Sequence, residues 1–321
     1  MIAALLLASG TFLATVPWGD HLISWLQRHG FGKQIRAEGP STHEAKRGTP
    51  TMGGILILVP VLLIGGAMAW NAPRLWAPLA VTAMFAVLGA VDDVRGLKDR
   101  AGVGWLARFK FPWQVALAAI GAWLLYRAGA PTRVVVPVLG RTIELGVAYV
   151  PAAAFVIVST VNGVNLHDGL DGMAGGTVAL SFVAFALIAL GAGPRNLDLA
   201  LLCAVFIGAT MAFLWYNVHP AKVFMGDLGA LGLGAGLASV ALLTEYWLLL
   251  PVVGLALVLE VVSDIVQVLY FKLTHGRRVF RMAPLHCHFE LCGWPETRIV
   301  LRAWILTAIT VALGVVLAMV K

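Results

Sequence analysis

The chain has 321 residues, of which 60% are hydrophobic and 12% charged, with a mean hydropathy of +0.88. Such a composition cannot clothe a water-soluble surface and marks an integral membrane protein. The net charge of +7 is divided among short segments between apolar runs, with no nucleic-acid module, which favours anionic headgroups or phosphorylated partners.

Ten apolar runs follow one another at 2–17, 53–70, 75–91, 112–126, 148–161, 173–192, 197–216, 228–243, 247–271 and 299–320. Some fall short of the roughly 20 residues that span a bilayer, so flanking residues are expected to extend them. They are rich in Ala, Leu and Gly without strand-like alternation, and a lipid-facing backbone must satisfy its own hydrogen bonds, so they read as helices. The expected fold is all-α and polytopic, with about ten transmembrane helices in one membrane domain over 1–321. The first run lacks a basic leader and a small-residue cleavage site before Trp18 and reads as a retained helix.

Lys and Arg set the orientation. Segments 28–52, 92–111, 217–227 and 272–302 hold 5, 5, 1 and 6 of the 23, which leaves 6 elsewhere. The positive-inside rule puts these four segments in the cytoplasm. With ten helices, both termini then lie outside, and 162–172 is a fifth cytoplasmic loop. Cys203, Cys287 and Cys292 form no disulfide framework.

The acids cluster at the cytoplasmic ends of the runs. Asp92 and Asp93 lie in "GAVDDVRGLKDR", Asp168 and Asp171 in "NLHDGLDG", and Asp227 in "VFMGDLGALGLG". Any one could be a solvated cap. Five acids in three Gly-flanked segments instead suit Mg²⁺, which takes hard oxygen ligands and is held by one or two carboxylates plus substrate phosphates. Gly53, Gly54, Gly169, Gly172, Gly226 and Gly229 permit close backbone approach to a ligand or a neighbouring helix. Beside Lys46, Thr51 and Asp227 they suggest a phosphate cradle.

In the ninth run Glu260, Ser263, Asp264 and Gln267 share one helix face, either a functional stripe or a polar packing seam. The last loop, which ends in "FRMAPLHCHFELCGWPETR", carries Arg278 just before that stretch and Arg281, His286 and His288 within it. Its His-Cys-His spacing is irregular for zinc, and its cations suit phosphate or pyrophosphate better.

Together "KRGTPTMGG", "VDD", "VNLHDGLDG", "YNVHPAKVFMGDLGAL" and "RMAPLHCHFELCGWPE" resemble, in order, spacing and loop placement, the phospho-N-acetylmuramoyl-pentapeptide transferase family. That family belongs to the polyprenyl-phosphate N-acetylhexosamine-1-phosphate transferases of the bacterial inner membrane. The resemblance runs from about residue 20 to the C-terminus. It implies ten transmembrane helices with both ends periplasmic and an active site at the cytoplasmic face. The implied reaction is Mg²⁺-dependent transfer of phospho-MurNAc-pentapeptide from UDP-MurNAc-pentapeptide to undecaprenyl phosphate, giving lipid I and UMP for peptidoglycan. The resemblance also admits a homodimer.

Position by position, the resemblance implies that Asp227 binds Mg²⁺ and Phe224 stacks on uracil. Lys46, Thr51 and Asn217 become substrate or active-site contacts, Asn165 and Asp168 line the catalytic centre, and Asp171 lies near the uridine. Asp92 and Asp93 match the family's acidic pair, and His286 and His288 its His-rich loop. Three positions depart from the family pattern: Gly96 replaces a Lys, Cys287 a central His, and His167 a Thr. The rivals are a related transferase for another UDP-sugar, a transporter using Glu260 and Asp264, and a non-enzymatic scaffold.

Exchange of one phosphate linkage for another brings two anions together, so positioning and charge neutralisation dominate. A phosphate monoester with a second pKa near 6 is already a competent nucleophile at neutral pH. A base is therefore optional, with Asp92 the candidate. Direct attack is preferred to an aspartyl-phosphate route.

Overall fold

The computed structural model describes residues 1–32, 46, 48–98, 104–137, 139–192 and 196–320. Each of the ten apolar runs contains a helix. In chain order the helices are α1 (Ile2–Arg28), α2 (Ile55–Asn71), α3 (Trp76–Lys98), α4 (Ala107–Arg127), α5 (Tyr149–His167), α6 (Met173–Gly191), α7 (Leu197–Asn217), α8 (Gly226–Leu242), α9 (Leu250–Val253), α10 (Leu255–Leu273), α11 (Leu285–Leu291) and α12 (Glu296–Met319). Six units are long and apolar enough to cross a membrane: α1, Pro73–Lys98, Gly146–His167, α6, α7 and α12. α2 and α8 are shorter apolar helices.

Three features differ from the sequence expectation. The run 247–271 is not one helix: α9 and α10 meet at Gly254 with a 78° bend. Leu250 and Pro251 start a single short turn there, and glycine supplies the break. The segment 162–172 is loop only at its end, because α5 continues to His167. Its polar residues stay helical because neighbouring helices satisfy them: Asn162 Nδ2 donates to Gln114 Oε1 at 2.9 Å and to the Val158 carbonyl at 2.9 Å. The fold is also not purely helical. Strands β1 (Arg133–Val136) and β2 (Arg141–Glu144) form an antiparallel hairpin, with Arg133 opposite Glu144 and Val136 opposite Arg141. Arg133 Nε donates to Glu245 Oε1 at 2.6 Å and anchors the hairpin to the turn after α8.

α8 is the axis of the molecule, buried at every position from Gly229 to Leu242. Its sequence GDLGALGLGAGLASVAL is rich in Gly and Ala, which lets other helices approach without a lipid-excluding bulk of side chains. The two tightest approaches to α8 require glycine. A Cβ on Gly89 of α3 would stand 2.1 Å from the Asp227 carbonyl oxygen, and one on Gly54 would stand 2.2 Å from Gly229 Cα. These contacts bring the ends of α2 and α3 against the first turn of α8. The outer faces of α1, α10 and α12 carry exposed Leu6, Leu13, Leu269, Phe271, Ile305 and Ile309, as a lipid-facing surface does.

Candidate active site

The polar residues singled out by sequence gather where the C-terminal ends of α3, α5 and α7 meet the N-terminal ends of α2, α4, α6, α8 and α12, with Glu260 joining from the second turn of α10. The α5–α6 junction is the hub, and alternate residues along it reach different neighbours. Asn165 turns to α8, His167 to α10, Gly169 to α11, and Asp171 to Lys46 and α12.

The first cluster surrounds Asp227. The Lys110 ammonium lies 2.8 Å from Asp92 Oδ2 and also pairs with Asp227 Oδ2. Asn165 Nδ2 donates to Asp227 Oδ1 at 2.8 Å. The Asp93 carboxylate accepts the backbone N–H groups of Asp227 at 3.0 Å and Leu228 at 2.9 Å. Asp93 thus caps α8 as an anion at a helix N-terminus, while Asp92 faces the lysine. The two members of the acidic pair have different work. Thr51 stands beside Gly226, whose φ of +73° and crowded Cβ position, 2.6 Å from Asp93 Oδ2 and 2.8 Å from Thr51 Oγ1, require glycine. Lys110 was not singled out by sequence. It sits among the cytoplasmic cations used for orientation, and nothing in its local pattern, "RFKF", marks it as buried.

The second cluster surrounds Asp171. Lys46 Nζ donates to Asp171 Oδ1 at 2.8 Å and to Glu296 Oε1 at 2.6 Å. The other Asp171 oxygen accepts from the Ala221 N–H at 3.1 Å and lies 3.1 Å from His219 Nδ1. Burial alone would raise the Asp171 pKa, but the Lys46 ammonium, the Ala221 N–H and His219 outweigh it and hold the carboxyl below its usual range. For Lys46, burial opposes the charge, and hydrogen bonds to Asp171 and Glu296 reverse that and raise the ammonium pKa. The Lys46 ammonium also lies 6.0 Å from the Phe224 ring centroid. Asn217 supports both sides of the pocket, accepting from the Gly172 N–H at 2.9 Å and donating to the Val223 carbonyl at 2.9 Å. His219 and Glu296 complete this cluster and were not singled out by sequence.

The third cluster joins α10 to α11. His286 Nδ1 lies 3.1 Å from Glu260 Oε2, and His167 Nδ1 lies 3.7 Å from the other oxygen of the same carboxylate. Burial disfavours a charged His286, but the neighbouring Cys287 and the Glu260 carboxylate raise its pKa to about 10. A Cβ on Gly169 would stand 2.2 Å from His286 Nε2, so the imidazole packs directly against the loop that carries Asp168. Asp168 itself is half-buried at the C-cap of α5. Beside Glu260 and His286 lies a cavity of about 280 Å³, lined further by Leu259, Trp294 and Leu306.

His288 is not brought into these clusters. Its Nδ1 accepts the Arg281 N–H at 3.1 Å, and its Nε2 lies 3.7 Å from Cys292 Sγ. The polar face of the ninth run divides: Glu260 and Ser263 are buried, and Gln267 holds the backbone of Val279 and Phe280. Gly96 lies near Gly104, 3.6 Å from its Cα were a Cβ added, and contributes no charge.

Carboxylates and lysines brought together at helix ends, with the Phe224 ring beside Lys46, within a multi-pass helical membrane protein, form a polar centre suited to anionic ligands. The family model for glycosyl transferase family 4 matches residues 75–245, and phospho-N-acetylmuramoyl-pentapeptide-transferase signature 1 matches residues 46–58. A phospho-N-acetylmuramoyl-pentapeptide-transferase of Chloroflexus aurantiacus is 42% identical over 336 aligned positions, covering all of this chain and 90% of the relative. The Chloroflexus aggregans protein of the same name is 41% identical with the same coverage. The chain therefore belongs to the phospho-N-acetylmuramoyl-pentapeptide-transferase family.

Proposed function

We propose that the protein transfers phospho-MurNAc-pentapeptide from UDP-MurNAc-pentapeptide to undecaprenyl phosphate, forming lipid I and UMP, at the cytoplasmic face of a bacterial inner membrane. The observation that carries the site assignment is the convergence of Lys46, Asp171, Asp92, Lys110 and Asp227 from five separate elements on one end of the bundle. Ten crossings with both termini outside fit this placement. Counting α9 and α10 as one bent unit, alternate helix ends then bring the Asp227 and Asp171 clusters to the side that holds the basic segments.

The Lys46 ammonium faces the phosphates of the nucleotide, and Phe224 offers a ring on which the uracil stacks. Lys110 neutralises Asp92 and Asp227, so that a phosphate can approach two carboxylates that would otherwise repel it. Asn165 fixes the Asp227 carboxylate, and Asp93 fixes the helix turn beneath it. Asp92 can receive the residual proton of the attacking lipid phosphate.

The donor set around Asp227 fits Mg²⁺, because its candidate ligand atoms are hard carboxylate oxygens. Asp227 would hold the ion, which when bound would supply positive charge to the pyrophosphate of the UDP-linked substrate. Among the described residues, the one group of three His, Cys, Asp or Glu whose donor atoms all lie within 4.8 Å of one another is Asp171, His219 and Glu296. An ammonium bonds each set, Lys46 this one and Lys110 that around Asp227, and Asp227 is preferred because the family resemblance assigns the ion to it.

UMP release by purified protein with both substrates, with and without Mg²⁺, tests the proposal alongside Asp227→Ala. Mg²⁺-dependent release lost in the variant is expected. Release with UDP-GlcNAc and none with the muramoyl-pentapeptide nucleotide would reassign the protein to the sister transferases.

A further inference from the structure

Glu296 occupies the first helical position of α12, directly after Pro295. An acid there has an ordinary explanation, since carboxylates favour the positive end of a helix dipole. That explanation leaves the side chain free to point into solvent. Instead the carboxylate is only 11% exposed and is turned away to partners 125 and 250 residues distant. Its Oε1 accepts the Asp171 backbone N–H at 2.6 Å and the Lys46 ammonium at 2.6 Å, and its Oε2 lies 3.4 Å from His219 Nδ1.

These contacts solve a problem of the proposed nucleotide pocket. Lys46 must stay extended and charged while free of a substrate, and must release at least one partner to meet a phosphate. Both Asp171 oxygens are already engaged, Oδ1 by Lys46 and Oδ2 by Ala221 and His219. If Asp171 were the sole partner of Lys46, the lysine would lose its only counter-ion when Asp171 turned to the substrate. Glu296 holds that loop through the backbone N–H, a bond that survives when either Asp171 oxygen changes partner. A second carboxylate also keeps Lys46 in register when Asp171 engages the substrate.

We infer that Glu296 is a positioning residue for nucleotide binding, a second counter-ion that orients Lys46 and pins the Asp171 turn without touching the reacting atoms. The inference rests on the proposed nucleotide pocket. It assigns α12, the last helix of the chain, a direct part in setting affinity for the UDP end of the substrate.

The test is a steady-state comparison of wild type with Glu296→Gln and Glu296→Asp. Glu296→Gln keeps the shape and an acceptor for the Asp171 N–H but removes the charge. KM for the UDP-linked substrate is expected to rise about tenfold with kcat within about twofold, the loss of one charge-assisted hydrogen bond. Glu296→Asp, which retains the charge, should recover part of that loss. In a Lys46→Ala background, Glu296→Gln should add little to KM, because the partner it orients is gone. An unchanged KM in Glu296→Gln, or a fully additive effect in the double variant, would overturn the inference. Calorimetric titration with UMP separates the two levels. Wild type that binds UMP but turns over no muramoyl-pentapeptide nucleotide refutes the substrate reading, while a Glu296→Gln loss of UMP affinity still supports the positioning role. Wild-type UMP affinity in a folded Glu296→Gln protein overturns that role whatever the substrate.

Discussion

Removing the Lys110 charge as Lys110→Gln is the sharpest perturbation of the Asp227 cluster. The ammonium is 11% exposed and bridges Asp92, 8% exposed, and Asp227, 28% exposed. Breaking a buried ion pair by deleting one partner costs about 3–5 kcal/mol, because a charge is left without compensation. Water reaches Asp227 more readily than Asp92, so screening trims the second pair, and the lower end, about 3 kcal/mol, is expected. Turnover should fall about a hundredfold, the scale of losing one preorganised charge at a reacting centre. Thermal unfolding in detergent, followed by tryptophan fluorescence, reads the stability, and UMP release reads the turnover. Two controls isolate the cause. Adding Asp92→Asn should restore much of the midpoint without restoring turnover, since the repulsion goes but the cation does not return. Raising Mg²⁺ should narrow the gap between variant and wild-type midpoints, because a divalent ion can take up the same negative charge. A Lys110→Gln protein with the wild-type midpoint and wild-type turnover would refute the bridging role.

Gly89→Ala should impair folding and activity together, because its Cβ would meet the Asp227 carbonyl at 2.1 Å and push α3 from α8; a variant with the wild-type melting midpoint and UMP release would contradict the close packing. The His286–Glu260 pair makes stability depend on alkaline pH. His286 is raised to about 10 from an ordinary value near 6.5, so the pair's contribution is complete below about 6.5 and fades as pH rises through about 10. The melting midpoint of wild type should therefore fall between pH 7 and pH 10 by more than that of His286→Gln, and parallel curves would remove the charged pair from the account.

The helical character of each apolar run was legible, because a lipid-exposed segment must satisfy its own backbone and so writes a continuous apolar stretch, whereas among the described residues six helices, or seven with the bent pair, are long and apolar enough to cross a membrane against about ten expected. The bend at Gly254 was hidden for the same reason: a broken segment and a straight one have the same hydropathy. The hairpin at Arg133–Glu144 escaped because two four-residue strands leave too short a pattern to stand out, and their docking depends on Glu245. In the site, Asp227, Asp171, Lys46 and Asn165 were legible as polar residues in Gly-flanked motifs. Lys110, His219 and Glu296 were not, since a lysine, a histidine or a glutamate near a membrane end is by default a solvated cap.

The sequence by itself determined that this is a helical membrane protein and that polar residues recur in short motifs between its apolar runs, because hydropathy and charge are local properties. Only the tertiary structure decided which charge meets which. Asp92 turns to Lys110 while its neighbour Asp93 caps α8, and Asp171 shares Lys46 with a glutamate 125 residues away. Those choices follow from helix packing around the glycine-lined α8, which brings distant helix ends within hydrogen-bond reach, and no local pattern encodes such distances.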